Sequence, residues 1–138
     1  MDNLSETLIT LNEELARTNI QHYYIYNYTS RPSLVLAGSF DFSYYHNIEI
    51  TFNEVSFVTC PGGIFTVELF RLATEDELKR LNEFSYGYND TPTICLEDQT
   101  FKTAFFISAA EVNYTIQNVY YYKREPLAEN ERIADWVK

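Results

Sequence analysis

Glycine, proline, cysteine, histidine and basic residues are all scarce in this chain, and each shortage narrows what it can do. Four glycines leave little backbone freedom for a loop that cradles phosphates, and no glycine-rich nucleotide fingerprint occurs. Cys60 and Cys95 are the only cysteines, and there are two histidines. No paired-cysteine zinc pattern, no His-Glu-x-x-His run and no nucleophile elbow is present. Bases number 10 against 20 acids, for a formal net charge of −10. Lys79-Arg80 and Lys123-Arg124 are isolated pairs and not a patch, so nucleic acid and anionic membrane are excluded as expected partners. No apolar run approaches the roughly 18 residues of a membrane span.

The opening residues, MDNLSETLITLNEELARTN, carry acids where a secretory leader carries bases. The expectation is a cytoplasmic protein with both thiols reduced.

Tyrosine and β patterning are what the chain has in quantity. It contains 12 tyrosines and 10 phenylalanines, and 46% of its 138 residues are hydrophobic. That composition suits one globular α+β domain over residues 1–138. The stretch from Leu34 to Leu72 holds two or three runs of alternating apolar and polar residues, punctuated by Asn53-Glu54 and by Pro61-Gly62-Gly63, as an antiparallel sheet with one buried face does.

Leu4, Leu8, Leu11 and Leu15 lie on one stripe of a helix spanning residues 3–18, with Asn3 as its cap. Strands are expected at 20–29 and from Leu34, after a turn at Ser30-Arg31-Pro32-Ser33. Ile48, Ile50 and Phe52 mark another, and Asn53-Glu54 is expected to close a hairpin onto Val55, Phe57 and Thr59. Phe65, Val67 and Leu69 define one further inward face. Thr74 and Glu77 form a capping box for a helix over 75–83, with Leu78 and Leu81 inward. After a loop at 85–92, strands follow at about 93–97, 101–110 and 114–123. Tyr114, Ile116, Asn118, Tyr120 and Tyr122 would share one face of the last, with Val119 and Tyr121 on the other. Ile133, Trp136 and Val137 suggest a terminal helix at about 129–137. The pattern predicts a mainly antiparallel, twisted sheet of about seven strands, folded as a sandwich or partial barrel, with an N-terminal, a middle and a C-terminal helix.

Candidate chemistry is sparse. Asp41, His46 and Glu49, with His22, offer nitrogen and oxygen ligands that would suit zinc, iron or manganese. On a regular strand, however, His46 and Glu49 point to opposite faces, and the simpler role for His46 is to end a strand. Cys60 would need a neighbouring base to act as a nucleophile, and Cys95 reads as core. Glu75, Asp76 and Glu77 suit the first turn of a helix. No metal, cofactor or catalytic residue is assigned on this basis.

The tyrosines carry the binding expectation: Tyr24, Tyr26, Tyr28, Tyr44, Tyr45, Tyr120 and Tyr122. Tyrosine couples a rigid ring to a hydroxyl at low entropic cost, which suits protein interfaces. It also lines apolar pockets. The leading expectation is a non-enzymatic domain whose acidic, tyrosine-rich sheet surface binds a protein, a basic one by charge, or a second copy of itself. An immunity-type protein, which neutralises a toxin, is one use of such a surface. The alternative is a small-ligand-binding protein or enzyme with an aromatic-lined pocket. Two phrases stand out as non-generic, AGSFDFSYYHNIEI at 37–50 and ERIADWV at 131–137.

Overall fold

A computed structural model describes residues 3–29, 33–84 and 91–137. The expected turn at Ser30-Arg31-Pro32, most of the 85–92 loop and the side-chain cap at Asn3 lie outside the described residues. The order is α1 (Asn3–Ala16), β1 (His22–Tyr28), β2 (Ser33–Ser39), β3 (Tyr45–Asn53), β4 (Phe57–Val58), β5 (Phe65–Thr66), β6 (Leu69–Leu72), α2 (Glu75–Phe84), β7 (Thr93–Asp98), β8 (Thr103–Ser108), β9 (Glu111–Tyr120) and β10 (Glu131–Ile133). The larger sheet runs β10-β9-β3-β2-β1-β5 and the smaller β4-β8-β7-β6. Every strand pairing is antiparallel except that of β10 with β9.

The core lies between the sheets. Leu34 and Leu36 of β2 and Ile48, Ile50 and Phe52 of β3 face Phe70, Ile94, Leu96 and Ile107 of the smaller sheet, all essentially inaccessible to solvent. Each side chain of this size contributes about 1.5–3 kcal/mol when fully buried. The leucine stripe of α1 behaves as its spacing requires: Leu8 and Leu11 are buried, and Leu4 and Leu15 pack against the core. The helix touches β6 and β9, so it closes one open side between the sheets. There the Asn12 amide donates to the Phe70 carbonyl at 2.7 Å and accepts from the Phe70 N–H at 3.0 Å. The side chain stands in for a neighbouring strand and satisfies an exposed sheet edge.

Helix α2 covers the other side of the smaller sheet. Its capping box forms as expected: Thr74 N–H donates to Glu77 at 2.8 Å and Glu77 N–H to the Thr74 hydroxyl at 3.2 Å. Leu81 is buried and Leu78 half-buried. Arg71 of β6 makes a bidentate pair with Glu77 at 2.8 and 3.0 Å and reaches Glu97 at 3.2 Å. With α1 at the side and α2 over the smaller sheet, no helix among the described residues covers the outer face of the larger sheet. No helix among the described residues is long and apolar enough to cross a membrane.

Four expectations need correction. The described residues form ten strands rather than about seven, because β4, β5 and β10 are two or three residues long and carry no periodicity of their own. Asn53-Glu54 does not close a hairpin. Glu54 takes a left-handed turn (φ 54°), and the chain then crosses to the smaller sheet as β4. The face drawn through Phe65, Val67 and Leu69 is split by a second crossing, so Phe70 takes the inward place in β6 while Leu69 is half-buried. Finally, 129–137 contains no helix. Residues 131–133 pair with Asn118–Tyr120, and a turn carrying Asp135 and Trp136 follows.

Two outcomes are expected from this packing. A Cβ at Gly38 would lie 2.6 Å from the Tyr23 ring and 2.7 Å from Ile48, both fully buried. Gly38→Ala should therefore lower unfolding free energy by about 1–3 kcal/mol in a denaturant titration. The second outcome concerns pH. The Arg71 hydrogen bonds hold the Glu77 carboxyl at about 2, below its ordinary 4.5, with burial opposing and the Thr74 N–H assisting. Between those values the unfolded chain binds a proton that the folded chain does not, so stability rises with pH across the window and is complete above it. Glu77→Gln should be less stable than the parent above pH 5, and the gap should close as pH falls towards 2.

Candidate functional site

On the uncovered face, the ladder sets Tyr24, Ala37 and Glu49 in one row across β1, β2 and β3. The small Ala37 side chain leaves a low point between the other two. Both flanks of this row carry an irregularity. Ile25 pairs with Leu36 but Asn27 with Val35, so Tyr26 is an extra residue in β1. His46 pairs with Val119 but Ile48 with Ile116, so Asn47 stands opposite both Gln117 and Asn118. Bulges re-aim side chains. Here strict alternation fails between His46 and Glu49, and His46 Nε2 lies 2.7 Å from Glu49 Oε2. The same bulge interrupts the face drawn from Tyr114 to Tyr122.

From that contact a hydrogen-bonded chain extends both ways. His46 Nδ1 is 2.6 Å from the Tyr121 hydroxyl, which is 3.0 Å from the Tyr24 hydroxyl. On the other side Arg132 Nη2 donates to Glu49 Oε2 at 2.7 Å, and Arg132 Nη1 to Gln117 Oε1 at 2.5 Å. The carboxylate can only accept, so the His46 Nε2–H is directed at Glu49. In the neutral ring Nδ1 then accepts from Tyr121, and Tyr121 from Tyr24. Both ring nitrogens of His46 thereby have partners, although its side chain is wholly buried.

Electrostatics keep these roles in place. Burial pushes the phenols of Tyr24, Tyr26 and Tyr121 above the ordinary tyrosine range, so they remain donors at neutral pH. Burial would also raise the Glu49 carboxyl, but the His46 and Arg132 hydrogen bonds outweigh it and hold the group below its ordinary value. The Glu49 bond likewise keeps the Arg132 guanidinium firmly charged against burial.

Rings pack around this chain. The Tyr26 ring meets His46 edge-on at 4.8 Å between centroids, Phe42 meets Tyr24 at 4.9 Å, and Trp136 rests 5.0 Å from Tyr121 and 5.6 Å from Tyr26. A second group holds Tyr45, Tyr120, Tyr122 and Tyr44 in succession, at 6.3, 5.6 and 6.2 Å. In it the Tyr120 hydroxyl donates to Glu131 at 2.6 Å, and the Arg124 guanidinium lies 4.5 Å above the Tyr120 ring.

The seven tyrosines singled out by sequence thus divide. Tyr24 belongs to the hydrogen-bonded row, Tyr26 packs its ring against His46 of that row, and Tyr44, Tyr45, Tyr120 and Tyr122 belong to the second group. Tyr28 is exposed at the far end of β1 and joins no ring contact among the described residues. Of the metal candidates, His46 and Glu49 meet, whereas Asp41 accepts from the Ser43 N–H at 2.9 Å and His22 sits opposite Ser39. No group of three or more metal-ligating side chains lies together among the described residues. The thiols are poor nucleophiles: burial pushes Cys60 up to about 12 and Cys95 up to about 11.

Tyr121, Phe42, Arg132, Gln117 and Trp136 were not singled out as binding residues. A signal for most of them existed. The two non-generic phrases converge here, with Ala37, Phe42, His46 and Glu49 from one and Arg132 and Trp136 from the other.

No family model, curated protein or solved structure matches the chain. The functional reading therefore stands on the site itself.

Tyr121 is the hub of the row. Tyr121→Phe would leave His46 Nδ1 and the Tyr24 hydroxyl without their partner. The expected cost is about 1–3 kcal/mol of stability, read from denaturant unfolding followed by the emission of Trp136.

Proposed function

We propose that the chain is a non-enzymatic interaction domain that holds a partner protein on the aromatic outer face of its larger sheet. The observation that carries this reading is Trp136, the sole tryptophan, which is 53% exposed while its ring leans on Tyr121 and Tyr26. Phe40, Tyr44 and Ile64 are also more than half exposed. Large rings held rigid beneath and open above are the side chains that dominate binding energy at protein interfaces. The hydrogen-bonded row supports them, because it neutralises its own polar groups and leaves rings as what the face offers. The net charge of −10 favours a basic partner through long-range steering. Neutralising a toxin, as an immunity-type protein does, is one biological use of such a face.

A small-ligand reading has less support. Tyr24, Phe42, Gly62, Gly63, Ile64 and Tyr121 border a cleft of about 250 Å³. That is below the usual span of ligand pockets, roughly 300–1,000 Å³.

Phe40→Ala with Tyr44→Ala removes two exposed rings and should leave the unfolding midpoint almost unchanged. The double variant should bind the partner recovered from cell extract at least tenfold more weakly than the parent. Partner binding to the parent should shift Trp136 emission to the blue. Equal affinity of parent and variant, or unchanged emission with partner bound, would overturn the proposal. Sedimentation across a concentration series tests the version in which the partner is a second copy; a monomer throughout removes it.

A further inference from the structure

A different surface, along β9, has the construction of a strand-accepting groove. On one side β9 pairs with β3 over most of its length. On the other, β10 pairs only with Asn118, Val119 and Tyr120. Among the described residues no strand pairs with the outward edge from Glu111 to Ile116. Six residues of open edge amount to about 20 Å of unmatched backbone donors and acceptors. The comparable edge at Phe70 is closed by the Asn12 side chain.

The edge is also framed. Helix α1 runs beside it, and the space between them forms an open groove of about 610 Å³ bordered by Leu4, Glu6, Thr10, Glu111, Asn113 and Tyr114. A sheet edge beside a helix is an arrangement that receives extended peptides, with main-chain hydrogen bonds supplying affinity and flanking side chains supplying selectivity.

The flanking charge is of one sign. Glu6 and Glu111 are both exposed, and among the described residues no lysine or arginine borders the groove. Burial, and then the charges of Glu14 and Glu13, raise the Tyr114 phenol above its ordinary range, so two more carboxylates bear on the same edge. Arg17, just beyond α1, is 4.0 Å from Glu14 and offsets only that charge. A second copy of the chain would bring a further −10 towards this acidic edge and be repelled by it. A basic segment meets no such opposition.

We propose that the β9 edge beside α1 takes an extended, lysine- or arginine-bearing segment of a partner protein as an added strand, with Glu6 and Glu111 reading its charge. This surface is separate from the aromatic face, and either can fail without the other.

The test titrates the full chain with an end-blocked eight-residue peptide alternating valine and lysine, and follows amide hydrogen exchange by NMR. Amides with outward N–H groups between Val112 and Ile116 should gain at least tenfold protection. Affinity should fall about tenfold in Glu6→Lys and in Glu111→Lys, and should fall with added salt. The same peptide with glutamate in place of lysine should not bind. Four results would overturn the proposal: no protection between Val112 and Ile116 at saturating peptide, equal affinity in both charge-reversal variants, binding of the glutamate peptide, or protection that grows with protein concentration alone, which assigns the edge to a second copy. A shift of Trp136 emission without protection on β9 overturns it as well, and moves the basic segment to the aromatic face.

Discussion

The commitment of Tyr23 to the core is the constraint on which the rest of the structure turns. Its ring lies against Gly38 of the neighbouring strand, where no Cβ would fit, and meets Phe70 of the opposite sheet edge-on at 5.5 Å. The side chain therefore ties the two sheets together. Its hydroxyl is buried and finds no partner among the described residues. Burying a ring of this size contributes about 1.5–3 kcal/mol, and stranding the hydroxyl costs roughly 1–3 kcal/mol. The two nearly cancel, so the importance of Tyr23 is positional. With Tyr23 inward, alternation along β1 turns Tyr24 outward, into the row that contains Glu49.

Two arginine–carboxylate systems then fasten the peripheral elements to the sheets. Arg71 joins β6 to α2 through Glu77, and Arg132 joins β10 to β3 through Glu49. Both are partly buried and backed by further hydrogen bonds, the condition under which an ion pair does more than a surface pair does. In each case the carboxylate also satisfies a second donor, Thr74 N–H in one and His46 Nε2–H in the other. These acids are structural. Much of the remaining acidic surplus, including Glu6, Glu13 and Glu111, is exposed, where it sets the negative potential around the molecule.

Placement of the aromatic site follows from what covers each layer. The inner faces share the core, α2 covers the smaller sheet and α1 plugs the side between β6 and β9. Among the described residues no helix covers the outer face of the larger sheet, and the 40–44 turn and the segment after β9 reach it at one end. That end carries the buried histidine, the half-exposed tryptophan and the hydrogen-bonded phenols. A fold of this kind has no inherent activity, and what this face offers is rings packed over a row of hydrogen-bonded side chains.

The amino-acid sequence by itself determined those features whose cause is local. The leucines at 4, 8, 11 and 15, the Thr74–Glu77 box and the alternation through Leu34–Leu36 and Ile48–Phe52 are set by neighbours within a few residues, and all are legible as period or cap. Tertiary structure decided which sheet each strand joins, because pairing is chosen by distant partners. Phe57–Val58 and Phe65–Thr66 are too short to signal anything alone. Ile133, Trp136 and Val137 have a spacing that reads as a helix until the strand at 118–120 claims residues 131–133. The meeting of His46 with Glu49 is of the same kind: alternation along β3 separates them, and only a slip in register against β9 brings them together. Periodicity is a property of one segment, whereas a bulge is a property of two, and the candidate site lies between two of them.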